Sequence, residues 1–336
     1  MNEPLLRVRD LVVEFPLAHG VLRAVDNVSF DVLPGEALGI VGESGSGKTM
    51  ALRALLGLLP RNARVSGGSI ELEGQEILGA GEERLRALRG RAVSMVFQEP
   101  MTALNPVVTV GEQIGEAPLV RLGLGRRAAR ARAIELMRLV GIPDPVRRAR
   151  AYPHELSGGM RQRVMIAIAL SADPKLILCD EPTTALDVTI QDQILRLLRS
   201  LQEQRDASLV FVSHDLAVIA QTCDHVAVMY AGQVIETGTV AAVFREPRHP
   251  YTLGLLRSVP DFDSVRDTLS SIPGTPPDLA APPVGCRFHP RCGFMRPDCT
   301  TGTIPLIPVG GDREARCLYH EDCAAEARRE PVVAGV

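Results

Sequence analysis

Short runs of apolar residues recur along the chain, and each run ends in a polar or glycine-rich segment. The clearest runs are residues 37–41, 176–179 and 209–212. Runs of this length between turn residues are typical of strands buried on both faces, as in a parallel sheet. Residues 188–204 instead place apolar side chains on one face of a helix. The pattern predicts an α/β fold.

Other parts of the chain show different patterns. Residues 5–33 alternate apolar and polar positions and predict antiparallel strands, and residues 66–78 predict a further hairpin. Residues 99–165 have mainly helical spacing and predict a helical subdomain. This combination predicts a parallel core with an antiparallel β subdomain.

Prolines become frequent from about residue 245, which indicates a boundary and a loop-rich region. We therefore predict a first domain over residues 1–258. Residues 259–336 form a second region, which we call the tail.

A glycine-rich segment at residues 42–49 connects a predicted strand to a predicted helix at 50–59, and we call it the phosphate loop. It fits the pattern G-x-x-x-x-G-K-[ST] through Gly42, Ser44, Gly45, Ser46, Gly47, Lys48 and Thr49. Glycines let consecutive backbone N–H groups converge on phosphate oxygens at the start of a helix. Lys48 would reach the β- and γ-phosphates, and the Thr49 hydroxyl would bind Mg²⁺. The alternative is a chance glycine turn before a helix.

Two acids end the apolar run that begins at residue 176. Asp180, at the strand end, is placed to bind Mg²⁺ directly or through water. Glu181 follows and could polarise an attacking water molecule. His214 follows another predicted parallel strand, at the edge of the sheet where ligands bind in such folds, which favours a functional role over a structural one.

A second candidate phosphate-binding element lies between these motifs. Ser157, Gly158 and Gly159 can offer a hydroxyl and backbone N–H groups at a helix N-terminus. One nucleotide does not need two such elements from one subunit, whereas a head-to-tail pair of subunits does. Phe15 is either a stacking platform for adenine or an ordinary core aromatic, and the sequence leaves both open.

Composition narrows the function classes. The net charge is −3, aromatic residues make up 4% and tryptophan is absent, so we expect no nucleic-acid partner. We interpret the arginine-rich run at residues 121–132 as a solvated helix face. No apolar run approaches the roughly 20 residues of a membrane helix, and the N-terminus lacks the pattern of a secretory signal. We expect a cytosolic protein whose membrane role comes through a partner.

Five of the seven cysteines lie in the tail. Cys286, Cys292, Cys299 and Cys317 have the spacing C-x5-C-x6-C-x17-C, and Cys323 follows. In a reducing cytosol this crowding favours metal binding over disulfides. Four thiolates could hold zinc or an iron–sulfur cluster.

Several details of that metal site stay open. Cys323 leaves the identity of the fourth ligand undecided, and His289 and His320 allow a mixed zinc site. Cys179 and Cys223 are interpreted as core residues.

Taken in their order along the chain, these motifs resemble those of the ATP-binding-cassette (ABC) ATPases. The resemblance covers residues 5–257. The resemblance implies a P-loop NTPase fold, ATP and Mg²⁺ as cofactors, and ATPase activity. It assigns the Walker A motif to residues 42–49, the signature motif to residues 156–162 and the Walker B motif, with its catalytic glutamate, to residues 176–181. The D-loop, which includes Asp187, is assigned to residues 184–187. Gln98 corresponds to the glutamine that links Mg²⁺ to the transport subunits, His214 to the switch histidine, and Phe15 to the residue that stacks on adenine. The catalytic set is thus Lys48, Gln98, Glu181 and His214, and Ser157 would serve the nucleotide of the opposite subunit.

Residues 98–106, 249–252 and 285–292 carry a narrower resemblance, to the ATPase subunits of oligopeptide/dipeptide importers. It implies a second ATPase as heterodimer partner, two membrane permeases, an extracytoplasmic peptide-binding protein, and a position on the cytoplasmic face of the cell membrane. Related subunits carry a 4Fe–4S cluster on such a tail, which favours iron–sulfur over zinc.

Two alternative functions accompany this interpretation. The first is an importer of nickel or another small solute from the same subfamily. The sequence of the ATPase subunit does not distinguish it from a peptide importer, because the permeases and the binding protein select the solute. A soluble ABC ATPase acting on DNA belongs to another class. It would carry long coiled-coil insertions or a basic domain, and the sequence contains neither.

Overall fold

The computed structural model describes residues 3–184, 187–205, 207–259 and 271–329. Within those ranges the strands are β1 (Leu6–Leu17), β2 (Gly20–Val32), β3 (Ala37–Val41), β4 (Arg64–Leu72), β5 (Gln75–Glu76), β6 (Val93–Val96), β7 (Leu176–Asp180), β8 (Ser208–Ser213), β9 (His225–Tyr230), β10 (Gln233–Thr239), β11 (Ile307–Gly310) and β12 (Arg313–Ala315). The helices are α1 (Lys48–Leu55), α2 (Glu82–Leu88), α3 (Pro100–Ala103), α4 (Val110–Arg121), α5 (Arg126–Leu139), α6 (Pro145–Arg148), α7 (Gly158–Ala169), α8 (Val188–Arg205), α9 (Leu216–Thr222), α10 (Val240–Arg245), α11 (Pro250–Arg257) and α12 (His320–Arg329).

The chain divides into two compact units, which we name by their contents. The helical unit consists of Met1–Leu5, Val32–Glu36 and Gly79–Phe211. The phosphate-loop unit consists of Leu6–Asp31, Ala37–Leu78 and Val212–Val336. None of the helices in the described ranges combines the length and apolar character that a membrane crossing requires.

In the helical unit, strands lie in the order β8-β7-β6. β6 and β7 are parallel, with Val93 opposite Leu176 and Val96 opposite Cys179. Every residue of both strands is buried, as the apolar run at 176–179 predicted for β7. Parallel pairing brings the carboxyl ends of β6 and β7 to one edge, where the chain continues into Gln98 and Glu181.

The predicted helical range 99–165 contains α3 to α6 and most of α7. α4 begins with a capping box, in which the Thr109 hydroxyl accepts from the Glu112 N–H at 3.4 Å and the Glu112 carboxylate accepts from the Thr109 N–H at 3.3 Å. Arginines of α5 are mainly exposed, as expected for a solvated face.

The phosphate-loop unit contains two sets of strands. One set, β2-β1-β4-β5, is the predicted antiparallel subdomain, in which Leu6 lies opposite Leu72. The other runs in the order β11-β12-β10-β9-β3, with β3 parallel to β9.

The tail contains more regular structure than its proline content predicted. β12 pairs with β10, placing Ala315 opposite Glu236, and β11 pairs with β12. α12 adds a helix of ten residues. The prediction of a loop-rich tail is therefore wrong for residues 307–329, because backbone pairing with β10 stabilises strands too short to show a periodic pattern. The predicted domain boundary at residue 258 stays a prediction.

The tail also contributes to an aromatic core. Phe288 lies edge-on to Tyr230 of β9 with ring centroids 5.2 Å apart, and to Tyr251 of α11 at 5.4 Å. Phe288 is only 3% exposed. Because edge-to-face aromatic contacts add to the free energy of burial, this ring stabilises the packing of the tail on β9 and α11.

We therefore expect Phe288→Ala to destabilise the protein by about 3–5 kcal/mol, since it opens a cavity among aromatic rings. Urea unfolding followed by tyrosine fluorescence measures this change. The control is Met295→Ala, because Met295 lies in the same tail and is 51% exposed. An equal loss in both variants would contradict this account of the aromatic core.

Candidate functional site

The phosphate loop connects β3 to α1 through glycines in conformations that other residues avoid. Gly45 and Gly47 have φ values of 80° and 100°. A Cβ on Gly47 would lie 2.2 Å from the carbonyl oxygen of Ala24. α1 begins at Lys48, two residues before the predicted start, and ends at Leu55 ahead of Gly57, whose φ is 62°. The loop therefore places backbone N–H groups at a helix N-terminus.

Lys48 lies over this loop and is 4% exposed. Its Nζ donates to the carbonyl oxygens of Gly42 at 2.7 Å and Glu43 at 2.9 Å. Ser46 is buried, whereas Ser44 and Gly45 are exposed and Thr49 is half-buried. An ammonium bound to two carbonyls can exchange them for phosphate oxygens, which are stronger acceptors for a cation.

The helical unit contains the two predicted acidic residues. Asp180 ends β7 and is 1% exposed. Glu181 follows with a φ of 45°, a conformation uncommon for a non-glycine residue. Its Oε2 accepts hydrogen bonds from Gln98 Nε2 at 3.0 Å and Thr184 Oγ1 at 2.9 Å. The structure thus brings Gln98 and Glu181 together, as parallel pairing of β6 and β7 requires.

The signature segment forms the N-terminus of α7 in the same unit. Ser157 is the N-cap, and its Oγ accepts from the Met160 N–H at 3.4 Å. Ser157 and Gly158 are exposed. A Cβ on Gly159 would lie 3.0 Å from Ile190 of α8, so glycine permits close packing there.

The D-loop precedes α8. Asp187 is exposed, and its Oδ1 accepts from the Ile190 N–H at 2.9 Å. Ala185 and Leu186 lie outside the described residues. Val188 is 82% exposed. The start of α8 therefore presents an acid and an apolar side chain at the surface.

The remaining predicted residues lie in the phosphate-loop unit. His214 follows β8 and is exposed, and Phe15 lies on β1 and is half-buried. The positions of these side chains do not test their predicted roles, which stay predictions. Cys179 and Cys223 are 0% and 6% exposed, which confirms them as core residues.

Four tail cysteines line one small cavity: Cys286, Cys292, Cys299 and Cys317. Burial raises the pKa of Cys286, raises that of Cys292 to about 11, and raises that of Cys317 to about 12. Without a metal these three thiols are therefore neutral at physiological pH. Within the described ranges, no three His, Cys, Asp or Glu side chains are grouped as ligands of a single metal ion.

Cys323 occupies a different environment from those four. It is fully buried and packs with Leu253 and Ala327 in an apolar cluster that Phe294 covers. Burial raises its pKa strongly. His289 borders the cavity, and one of its ring nitrogens, Nδ1, lies 2.9 Å from the Cys286 carbonyl oxygen.

Contacts between the tail and the phosphate loop were not anticipated from the sequence. Arg291, next to Cys292, donates to the carboxylate of Glu43 at 2.8 and 3.0 Å. Tyr251 of α11, which precedes the tail, also contacts the loop, since its Oη accepts from the Glu43 N–H at 2.8 Å. The sequence feature that could have indicated these contacts is the presence of two arginines, Arg287 and Arg291, between the first two tail cysteines. From the sequence alone, we consider this segment only for its possible metal ligands.

Comparison with known families gives two matches. Residues 25–184 match the ABC transporter family model, and residues 235–299 match the model of the oligopeptide/dipeptide transporter C-terminal region. The dipeptide transport ATP-binding protein DppD of Escherichia coli is 47% identical over 320 residues, covering 95% of this chain and 98% of DppD. The oligopeptide transport ATP-binding protein OppD of Mycobacterium tuberculosis is 50% identical over 95% of this chain and 52% of its own length.

Solved structures agree on the fold. A dimeric bacterial ABC transporter cassette, MJ0796, matches with a TM-score of 0.64 and 27% identity, over 70% of this chain and 98% of that one. A post-hydrolysis dimer of the same cassette bound to ADP and Pi matches with a TM-score of 0.63 and 28% identity. These matches confirm the predicted P-loop NTPase core of the ABC type.

Thr184→Val tests the contact that orients Glu181. The substitution preserves shape and removes one hydrogen bond, worth about 0.5–1.5 kcal/mol, so we expect the kcat for ATP to fall about two- to tenfold with KM unchanged. Steady-state phosphate release measures both parameters. The control is Thr301→Val, an exposed tail threonine whose hydroxyl donates to the Asp298 carbonyl at 3.4 Å. An unchanged kcat in Thr184→Val would show that this contact does not serve hydrolysis.

Proposed function

The chain belongs to the oligopeptide/dipeptide family of ABC transporter ATP-binding subunits, and we propose that its ATP hydrolysis powers the import of di- and oligopeptides. The observation that carries the proposal is the hydrogen-bonded pair of Gln98 and Glu181, beside Asp180 at the end of β7. ATPase activity follows from the family. The peptide substrate is supported by the transport functions for which DppD and OppD are named.

In the proposed site, the phosphate loop binds the nucleotide through its backbone N–H groups and Lys48. Thr49, Gln98 and Asp180 are the candidate Mg²⁺ ligands, since hydroxyl, amide and carboxylate oxygens suit this ion. Bound Mg²⁺ would neutralise charge on the β- and γ-phosphates. Phe15 is half-buried, which leaves part of its ring available to stack on adenine.

For hydrolysis, we assign Glu181 to orienting the attacking water. Hydrogen bonds from Gln98 and Thr184 to Oε2 orient this carboxylate, which would accept a proton from the attacking water. Lys48 and His214 stabilise the charge that develops on the γ-phosphate. The exposure of His214 is consistent with a group that meets a ligand from solution.

We propose that two such subunits pair head to tail, this chain with a second, related ATPase. Ser157, Gly158 and Asp187 are exposed, and Ser157 begins a helix of twelve residues. A helix N-terminus with a free surface suits the phosphates of a partner's nucleotide. Val188, 82% exposed beside Asp187, supplies an apolar contact for the same interface.

The other partners in the proposal are two membrane permeases and, through them, an extracytoplasmic peptide-binding protein. The helical unit exposes several large apolar side chains near Gln98 in sequence, among them Met101 at 64% and Val107 at 77%. We propose that these exposed side chains contribute to the contact with the permeases. The chain would therefore act at the cytoplasmic face of the cell membrane, attached through the permeases.

We also propose that the tail binds a 4Fe–4S cluster, with zinc as the alternative metal. The support is that four cysteines line one cavity, since four thiolates are the number that such a cluster or a zinc ion requires. Arg316 lines the same cavity and would balance thiolate charge. The cluster would crosslink segments of the tail, which is a structural role.

Glu181→Gln tests the import proposal. We expect the variant to bind ATP with wild-type affinity, to lose ATP hydrolysis by at least about 100-fold, and to abolish uptake of a radiolabelled dipeptide in a strain that lacks the native subunit. The control is Glu203→Gln, an exposed side chain of α8 that pairs with Arg199 of the same helix at 3.4 Å.

Near-wild-type turnover in Glu181→Gln would contradict the role of this glutamate. Normal hydrolysis in the wild-type complex, combined with uptake of nickel and no uptake of peptide, would contradict the peptide substrate alone.

The metal proposal is tested by purification without oxygen. We expect brown protein containing iron and sulfide, and loss of colour when Ser replaces any of the four cavity cysteines. Cys323→Ser is the control and should stay coloured, since Cys323 packs in an apolar cluster instead of lining the cavity. Colourless protein with one equivalent of zinc would overturn the iron–sulfur assignment.

A further inference from the structure

A buried arginine of the tail contacts the phosphate loop. Arg291 donates from Nη1 to Glu43 Oε2 at 2.8 Å and from Nη2 to Glu43 Oε1 at 3.0 Å. Its side chain is 5% exposed, and that of Glu43 is 26% exposed. A bidentate, charge-assisted pair of this kind is stronger than a neutral hydrogen bond and fixes orientation as well.

The position of Arg291 is itself fixed by neighbours. Its Nε donates to the Pro273 carbonyl oxygen at 2.8 Å, and its Nη1 lies 3.3 Å from Tyr230 Oη. The guanidinium carbon lies 5.9 Å from the centroid of the Phe288 ring. Arg291 therefore presents a preorganised donor pair to the loop.

Glu43 is fixed at three points. Arg291 binds its carboxylate, Tyr251 Oη accepts its N–H at 2.8 Å, and Lys48 donates to its carbonyl oxygen at 2.9 Å. Glu43 follows Gly42 at the start of the loop, so its backbone sets the direction of the N–H groups that come next. Displacing Glu43 would therefore misdirect the phosphate-binding donors.

A second tail arginine is linked to the middle of the loop through Asp26 and Gly232. Arg287 pairs with Asp26, and both side chains are nearly buried. The Asp26 N–H donates to the Gly232 carbonyl at 2.8 Å, and the Gly232 N–H donates to the Ser46 carbonyl at 3.0 Å. The tail segment 286–292 thus contacts the loop directly at Glu43 and indirectly at Ser46.

The tail also forms one wall of a space beside the loop. Residues 276–279 line a cavity of about 270 Å³ together with Ser44 and Gly45. The tail therefore approaches both the exposed face of the loop and its buried start.

We infer that Arg291 is a positioning residue for nucleotide binding, acting through Glu43 on the conformation of the phosphate loop. The inference rests on the nucleotide site proposed above. A purely structural arginine would stabilise the tail without changing the affinity for ATP. A positioning residue changes that affinity in a protein that remains folded.

The test measures the Kd of a fluorescent ATP analogue with Mg²⁺ for the purified full-length chain. We expect Arg291→Met and Glu43→Gln each to weaken binding about tenfold, equivalent to about 1.4 kcal/mol. The double variant should be no weaker than either single variant, because both remove the same contact. KM for ATP should rise by the same factor as Kd, with a smaller change in kcat.

The matched control is Arg296→Met in the same tail. Arg296 pairs with Asp322 at 2.6 Å and lies over the Tyr319 ring, on contacts that belong to the tail alone. It should bind the analogue as the wild type does. Thermal melts and cysteine-bound metal content show whether each variant keeps its fold.

Wild-type affinity in folded Arg291→Met and Glu43→Gln would overturn the inference and leave the proposed nucleotide site intact. If Arg291→Met does not fold, Glu43→Gln decides the question from the loop side. A wild-type chain that binds no ATP analogue, or a Lys48→Ala variant that binds it normally, would instead contradict the nucleotide site itself. Additive losses in the double variant would show that the two residues act independently.

Discussion

The structure depends on one constraint: a short loop must present several backbone N–H groups to one anion before any anion is there. Such a loop gains little from its own contacts, since left-handed glycines at positions 45 and 47 carry no side chains to pack. Its shape is therefore set from outside. β3 and α1 fix its two ends, Lys48 bonds to its carbonyls, and Arg291 and Tyr251 fix Glu43.

The helical unit meets a related constraint at the end of β7. Glu181 adopts a φ of 45°, which costs a side chain other than glycine about 1 kcal/mol or more. Gln98 and Thr184 stabilise its carboxylate in this conformation through Oε2. These two hydrogen bonds hold the Glu181 carboxylate in a defined orientation at the end of a fully buried strand.

Local sequence was sufficient to predict the loop, the acids at the end of β7 and the signature at the start of α7. In each case, spacing within about ten residues determines which groups converge. The tail was predicted less well. β11 and β12 are too short to show alternation, and their pairing with β10 depends on residues far away in the chain. The contact between Glu43 and Arg291 joins positions 248 residues apart, and no local periodicity reports such a pair.

We propose that the segment from Gly42 to Thr49, where Lys48 bonds to the carbonyl oxygens of Gly42 and Glu43, is the nucleotide phosphate site. A crystal structure of the chain with ATP and Mg²⁺ tests this most directly. The account predicts that Lys48 Nζ leaves the Gly42 and Glu43 carbonyls for the β- and γ-phosphates, while Arg291 stays on Glu43. A nucleotide bound elsewhere, with Lys48 still on those carbonyls, would contradict it.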